Sequence, residues 1–208
     1  MTNEELLEKG LALPLMEDFY TLQGEGFHTG KPAYFTRIGG CDVGCSWCDV
    51  KESWNADIWP LTKTDDILKR ILTCPAKSVV ITGGEPLMYN LEYLCIKLKS
   101  AGFKIYLETS GSHPLSGIWD WICLSPKKYS PPMEEIYTKA DEYKVIIQTK
   151  GDFEWAEKNV SRLRSDCKLF LQPEWSKRNE MMAAIIDYVK ENPQWSISLQ
   201  SHKYMGIP

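Results

Sequence analysis

The chain of 208 residues balances 24 Lys and Arg against 28 Asp and Glu, a formal net charge of −4, with 43% hydrophobic and 25% charged residues. These values suit a single domain over residues 1–208 and exclude disorder, collagen-like repetition and a small disulfide-stapled scaffold. Basic residues are scattered, no apolar stretch approaches the roughly 20 residues that cross a bilayer, and MTNEELLEKG lacks the parts of a signal peptide, so no nucleic acid, no membrane and a cytoplasmic location are expected.

Alternating apolar residues predict extended segments over Leu15–Thr21 and Ala33–Ile38, separated by a turn rich in glycine (Gly24, Gly26, Gly30). Thr62–Thr73 reads as a helix, with Ile67, Leu68, Ile71 and Leu72 on one face and Thr62 with Asp65 resembling a capping box. A strand follows at 78–82, then a helix over Asn90–Ala101 ending at Gly102, and a strand over Phe103–Thr109. Further strands are predicted at Trp121–Leu124, Tyr143–Gln148, Leu169–Gln172 and Ser196–Gln200, with helices at Phe153–Arg164 and Asn179–Lys190; Ser125–Pro132 reads as an irregular loop. This alternation implies an α/β chain with about six parallel strands, too few for the eight-stranded barrel of roughly 250 residues, so a shortened, partly open (β/α) barrel is expected. Chemistry in such a sheet sits on loops at the C-terminal strand ends, where CDVGCSWC, GGEP, ETSG and SPK all fall.

Of seven cysteines, Cys41, Cys45 and Cys48 have three and then two residues between them, so one loop can aim three thiolates at one object, whereas Cys74, Cys95, Cys123 and Cys167 read as packing. A closed zinc site wants four ligands and would have to recruit His28, Asp49 or Cys74, which leaves a non-catalytic zinc-binding module as an alternative. A four-iron cubane held by three thiolates keeps one iron open for an exogenous ligand.

The spacing, with Trp47 before the last cysteine, resembles the signature of the radical S-adenosylmethionine (SAM) superfamily. The resemblance implies a 4Fe-4S cluster on Cys41, Cys45 and Cys48 whose open iron chelates SAM, and reductive cleavage that yields methionine and a 5′-deoxyadenosyl radical. By the same resemblance the cofactor would meet Trp47, Cys48, Asp49, Gly84 of Gly83-Gly84-Glu85-Pro86, Ser125, Pro126, Lys127, Gln172, Pro173, Glu174 and Trp175.

Over almost the whole length the sequence is similar to the 7-carboxy-7-deazaguanine synthase family, through Phe19-Tyr20-Thr21-Leu22-Gln23-Gly24-Glu25-Gly26, Phe35-Thr36-Arg37-Ile38 and Leu199-Gln200-Ser201-His202-Lys203-Tyr204. That resemblance implies ring contraction of 6-carboxy-5,6,7,8-tetrahydropterin to 7-carboxy-7-deazaguanine with loss of ammonia, toward queuosine and related 7-deazapurines. No catalytic residue beyond the cluster and cofactor is implied. Substrate contacts would come from Leu22, Gln23, Gly24, Arg37, Thr82 and the terminal carboxylate of Pro208, with Glu25 accepting from the 2-amino group. A homodimer and an electron donor such as flavodoxin or ferredoxin are also implied. One departure stands out: family members commonly place Thr or Ser two residues after the last cysteine, as a ligand to Mg2+, and Val50 offers no oxygen there. Weakened or absent magnesium dependence is therefore expected, with Lys51 or Arg37 compensating. A glycyl-radical-enzyme activase is the rival within the superfamily, and the segments at both ends of the chain favour the pterin enzyme.

Overall fold

The computed structural model describes residues 1–208. Nine strands form one sheet: β1 Ala12–Leu22, β2 Pro32–Ile38, β3 Leu61–Lys63, β4 Ser78–Gly83, β5 Lys104–Thr109, β6 Trp121–Leu124, β7 Glu142–Ile147, β8 Lys168–Pro173 and β9 Trp195–Ile197. Seven helices accompany them: α1 Asn3–Glu8, α2 Thr64–Leu72, α3 Glu92–Ser100, α4 Glu134–Lys139, α5 Gly151–Val160, α6 Arg178–Glu191 and α7 Ser201–Met205. The spatial order is β3-β1-β2-β4-β5-β6-β7-β8-β9, and pairing is parallel from β2 through β9. β3 and β9 are the two edges and do not pair with each other, so the barrel is open.

The parallel part has one strand more than expected, and two antiparallel strands extend it, β1 on β2 and β3 on β1. Thr62, expected to cap a helix, lies in β3 opposite Leu13, and α2 begins at Thr64 after Lys63 without a side-chain cap. Pairing with a neighbouring strand here outweighs a cap worth about 1 kcal/mol. The helices α1, α4 and α7 had no counterpart in the sequence reading. The expected last strand ends early, at Ile197, and Ser198 beyond it donates Oγ–H to Gln172 Oε1 at 2.7 Å.

Side chains alternate across each strand, and this sorts the core from the site. Ile105 and Leu107 of β5, Ile122 and Leu124 of β6, Tyr143, Val145 and Ile147 of β7, and Leu169 and Leu171 of β8 are buried in one contiguous core with residues of α2–α6. Their neighbours point to the opposite, concave face, which therefore carries Tyr106, Glu108, Trp121, Cys123, Glu142, Lys144 and Gln172. Below the site this face is stopped by the turn at Gly26–His28, where Phe27 stacks on Trp121 at 4.8 Å and His28 on Tyr106 at 4.4 Å. Cys74, Cys95 and Cys167 sit in the apolar core as expected. Cys123 is buried outside it, its thiol pushed well above its ordinary pKa by burial and then by Glu108 and Glu142.

Candidate active site

Parallel pairing of β2 with β4 sets Arg37 beside Thr82 and Ile38 beside Gly83, so both strands deliver their C-terminal loops to one place. The two loops are joined through their backbones: Gly84 N–H donates to Ile38 O at 3.0 Å and Glu85 N–H to Gly40 O at 2.9 Å. Contact this close needs glycine, since a Cβ at Gly84 would lie 2.6 Å from Cys41 Cβ. The cysteine loop is also tied to the segment after it, by Gly40 N–H to Ser53 O at 2.7 Å and Cys41 N–H to Trp54 O at 3.2 Å. His113 grips both carboxylate oxygens of Asp42 at 3.0 Å from the third loop.

Glu85 is the buried joint of the assembly. Its Oε1 accepts from Thr109 Oγ1 at 2.6 Å and Leu87 N at 3.0 Å, while Oε2 accepts from Ser110 N at 2.7 Å and Ser110 Oγ at 2.5 Å. One carboxylate thus fixes the GGEP loop against the ETSG loop. Lys127 hydrogen-bonds Ser125 O and Oγ and lies 5.5 Å above the Trp47 ring; burial lowers its pKa. Arg178 lies 4.1 Å and Lys203 4.7 Å from the centroid of the Trp175 ring, and Glu174 caps the turn that carries it.

Cys41, Cys45, Cys48, Trp47, Asp49, Gly84, Ser125, Lys127 and Gln172 through Trp175 all line one cavity. Pro126 lines a neighbouring hollow that shares Trp47, Lys127 and Ile146 with it. No three His, Cys, Asp or Glu side chains converge as one metal ion would require. Three thiols spread over one loop, beside a glycine cradle and a polar wall, fit a multi-iron cluster with a small polar ligand on its free corner. Burial raises the Cys41 thiol, so iron binding would have to displace a proton there.

A second cavity adjoins the first and shares Glu25, Asp49, Thr82, Glu108 and Gln200 with it. Leu22, Gln23, Gly24, Arg37, Thr82 and Pro208, scattered over the sequence, all line it. Val50 lines it too, whereas Lys51 lies over Trp54 and lines neither cavity, so Lys51 is not placed to compensate for a missing cation. The sequence reading missed the centre of this region. Lys144, 4% exposed, donates to Glu25 Oε2 at 2.7 Å and Glu108 Oε2 at 3.0 Å, and Gln23 Nε2 donates to Glu108 Oε1 at 3.2 Å. Burial pushes Glu25 up, but Lys144 and the Gln200 hydrogen bond outweigh it and bring the carboxyl to about 2. A lysine inside the apolar run EYKVII was the available signal.

An open parallel barrel with a three-cysteine loop and a glycine cradle over one cavity defines a class, and comparison with known proteins agrees: the Radical SAM superfamily model matches residues 35–168, and the chain belongs to that superfamily. The 7-carboxy-7-deazaguanine synthase of Flavobacterium psychrophilum is 56% identical over 202 residues, 97% of this chain and 96% of the relative. That of Synechocystis is 45% identical over 197 residues, 95% and 94% of the two chains. The crystal structure of QueE from Escherichia coli superposes with a TM-score of 0.83 at 30% identity, covering 97% of this chain and 99% of that one. Within the superfamily the chain therefore belongs to the 7-carboxy-7-deazaguanine synthase family. The zinc-module and activase alternatives give way to this membership.

Proposed function

We propose that this protein converts 6-carboxy-5,6,7,8-tetrahydropterin to 7-carboxy-7-deazaguanine with release of ammonia, using a 4Fe-4S cluster and SAM, in the cytoplasm and as a homodimer. A flavodoxin or ferredoxin would supply the electron. When bound, cluster and SAM supply reductive cleavage of a sulfonium and abstraction of a hydrogen atom. The chain's own residues bind, orient and shield. Cys41, Cys45 and Cys48 would hold the cluster; Gly84 gives the backbone room beside it; and Trp47, Asp49, Ser125, Lys127 and Gln172–Trp175 would surround SAM, with Pro126 shaping the adjacent hollow. Gln23, Glu25 and the backbone at Leu22 and Gly24 suit the amide and amine edge of a pterin, while Arg37, Thr82 and Pro208 would bound its other end. Val50 leaves magnesium without a ligand, so the cation is dispensable in this reading.

The observation that carries the proposal is that the two cavities share Glu25, Asp49, Thr82, Glu108 and Gln200, so a substrate in the second would lie against a cofactor in the first. The test is anaerobic. Reconstituted protein with SAM, reductant and the carboxypterin should form 7-carboxy-7-deazaguanine by mass spectrometry. Formation of 5′-deoxyadenosine without that product would retain the superfamily chemistry and discard the substrate.

A further inference from the structure

The substrate cavity has a charge problem. Three carboxylate side chains line it (Glu25, Asp49 and Glu108), with Pro208 beside them, against two cationic side chains, Arg37 and Lys203. The remaining titratable nitrogen, on His202, is pushed down by burial. Lys144 pairs with both Glu25 and Glu108 and offsets one of their two charges. An anionic ligand entering this space needs positive charge that these carboxylates do not cancel, beside Asp49 and Val50.

A divalent cation does not fit that end. Val50 presents hydrocarbon, and the Asp49 carboxylate is already engaged: Oδ2 accepts from Lys203 Nζ at 2.6 Å and from Gln200 Nε2 at 3.3 Å. A hard cation would find one free oxygen of a carboxylate that already carries an ammonium on the other, and no second oxygen from Val50.

We infer that Lys203 takes the place of the metal: its ammonium, steadied by Asp49, Gln200 and the Trp175 ring, pairs with the substrate's carboxylate together with Arg37. This inference rests on the pterin reading above. Lys203 Nζ is held at 2.6 Å from Asp49, 3.2 Å from Gln200 Oε1 and 4.7 Å from the Trp175 centroid, which uses two of its three N–H donors. The third has no protein acceptor. Arg37 is arranged in the same way. Glu17 takes its Nε at 2.6 Å, and the two terminal nitrogens have no protein partner. Each cation is thus oriented by one acidic group on one side and left with free donors, as a carboxylate receptor requires. Lys203 belongs to α7, whose Ser201 is pinned to the substrate loop by Ser201 N and Oγ donating to Gly24 O at 2.9 and 2.8 Å. The cation therefore arrives with the loop that would read the other end of the ligand.

The experiment compares wild type with Lys203→Met, Lys203→Arg and the double variant Val50→Thr/Lys203→Met, each reconstituted anaerobically and loaded with SAM. Equilibrium binding of 6-carboxytetrahydropterin and of the same pterin lacking its carboxylate is measured by calorimetry, with and without Mg2+, beside steady-state kinetics. We expect wild type to bind equally well after chelation. Lys203→Met should weaken the carboxylated ligand about 10- to 100-fold, the loss of one charge-assisted contact, and leave the decarboxylated one unchanged. Lys203→Arg should retain most of the affinity, and only the double variant should gain affinity on adding Mg2+. Strict magnesium dependence of the wild type, or equal losses for both ligands in Lys203→Met, would overturn the inference. If the wild type bound the carboxypterin as described but made no deazapurine, the reaction assignment would fail while Lys203 stood.

Discussion

Replacing Lys144 by methionine tests the charge economy of the concave face. Methionine has a similar reach, so the substitution removes the charge and keeps most of the packing. The ammonium is 4% exposed, and its partners Glu25 and Glu108 are 19% and 23% exposed, so solvent screens the cluster little. In the wild type Glu25 falls from an ordinary 4.5 to about 2, although burial alone would raise it. That difference corresponds to about 3 kcal/mol. A depressed carboxyl stabilises the folded state above its ordinary pKa, and the contribution is lost as pH falls from 4.5 toward 2. In the variant only burial and weaker partners remain, so ionised Glu25 opposes folding. The deficit should be about 3–5 kcal/mol near neutrality, a fall in Tm of roughly 6–20 °C for a chain of this size, and it should shrink in acid as Glu25 takes up its proton. Unfolding of the cluster-free chain, followed by circular dichroism from about pH 3 to about pH 8, reads both quantities. A deficit that stayed constant over that range would refute the reasoning and assign Lys144 a packing role.

Glu142 predicts the opposite slope. Its Oε2 accepts from Phe27 N at 3.2 Å and Trp121 Nε1 at 3.0 Å, Oε1 has no partner, and burial raises the carboxyl to about 7. The folded chain thus holds a proton that the unfolded chain releases, so wild-type stability should fall as pH rises from 4.5 to about 7, and Glu142→Gln should flatten that fall in urea titrations. Glu85→Ala leaves four buried donors without an acceptor and should cost about 3 kcal/mol or more, with a parallel loss of SAM affinity by calorimetry; unchanged SAM binding would show that the GGEP and ETSG loops hold their shape without the joint. Gly84→Ala forces the backbone away from Cys41 and should lower iron and sulfide per chain after reconstitution. Gly102→Ala is the control: φ is +78° but nothing lies within 4 Å of an added Cβ, so it should lose about 1 kcal/mol and keep its iron.

The parts of the fold legible in the sequence were those written in local patterns. The strand at 78–82, the helix ending at Gly102 and the strand after it each announce themselves within ten or so residues, through alternation, helical spacing or a glycine stop. Thr62 was misread because its capping pattern is also local, whereas its real role, facing Leu13 in an antiparallel pair, depends on a segment some fifty residues earlier. α7 escaped for a similar reason. Five residues carry no periodicity, and Ser201 is held by a carbonyl of the loop at Gly24, which no window of sequence contains.

The same distinction divides the site. The cofactor side was readable because each of its loops follows a strand of a parallel sheet, and that topology alone gathers C-terminal loops in one place. The second cavity mixes strand residues such as Arg37, Thr82 and Glu108 with loop and C-terminal residues far apart in sequence, and beside it lies a charge that only makes sense once its partners are known. Lys144 in isolation is an improbable lysine in a buried strand. With Glu25 from the first turn and Glu108 from β5 beside it, it becomes the counter-ion that lets two carboxylates share one wall of the cavities with less mutual repulsion. Lys203 follows the same logic: it is unremarkable in SHKYMG, and acquires meaning only because Asp49 binds it in the place where Val50 gives a metal nothing to hold.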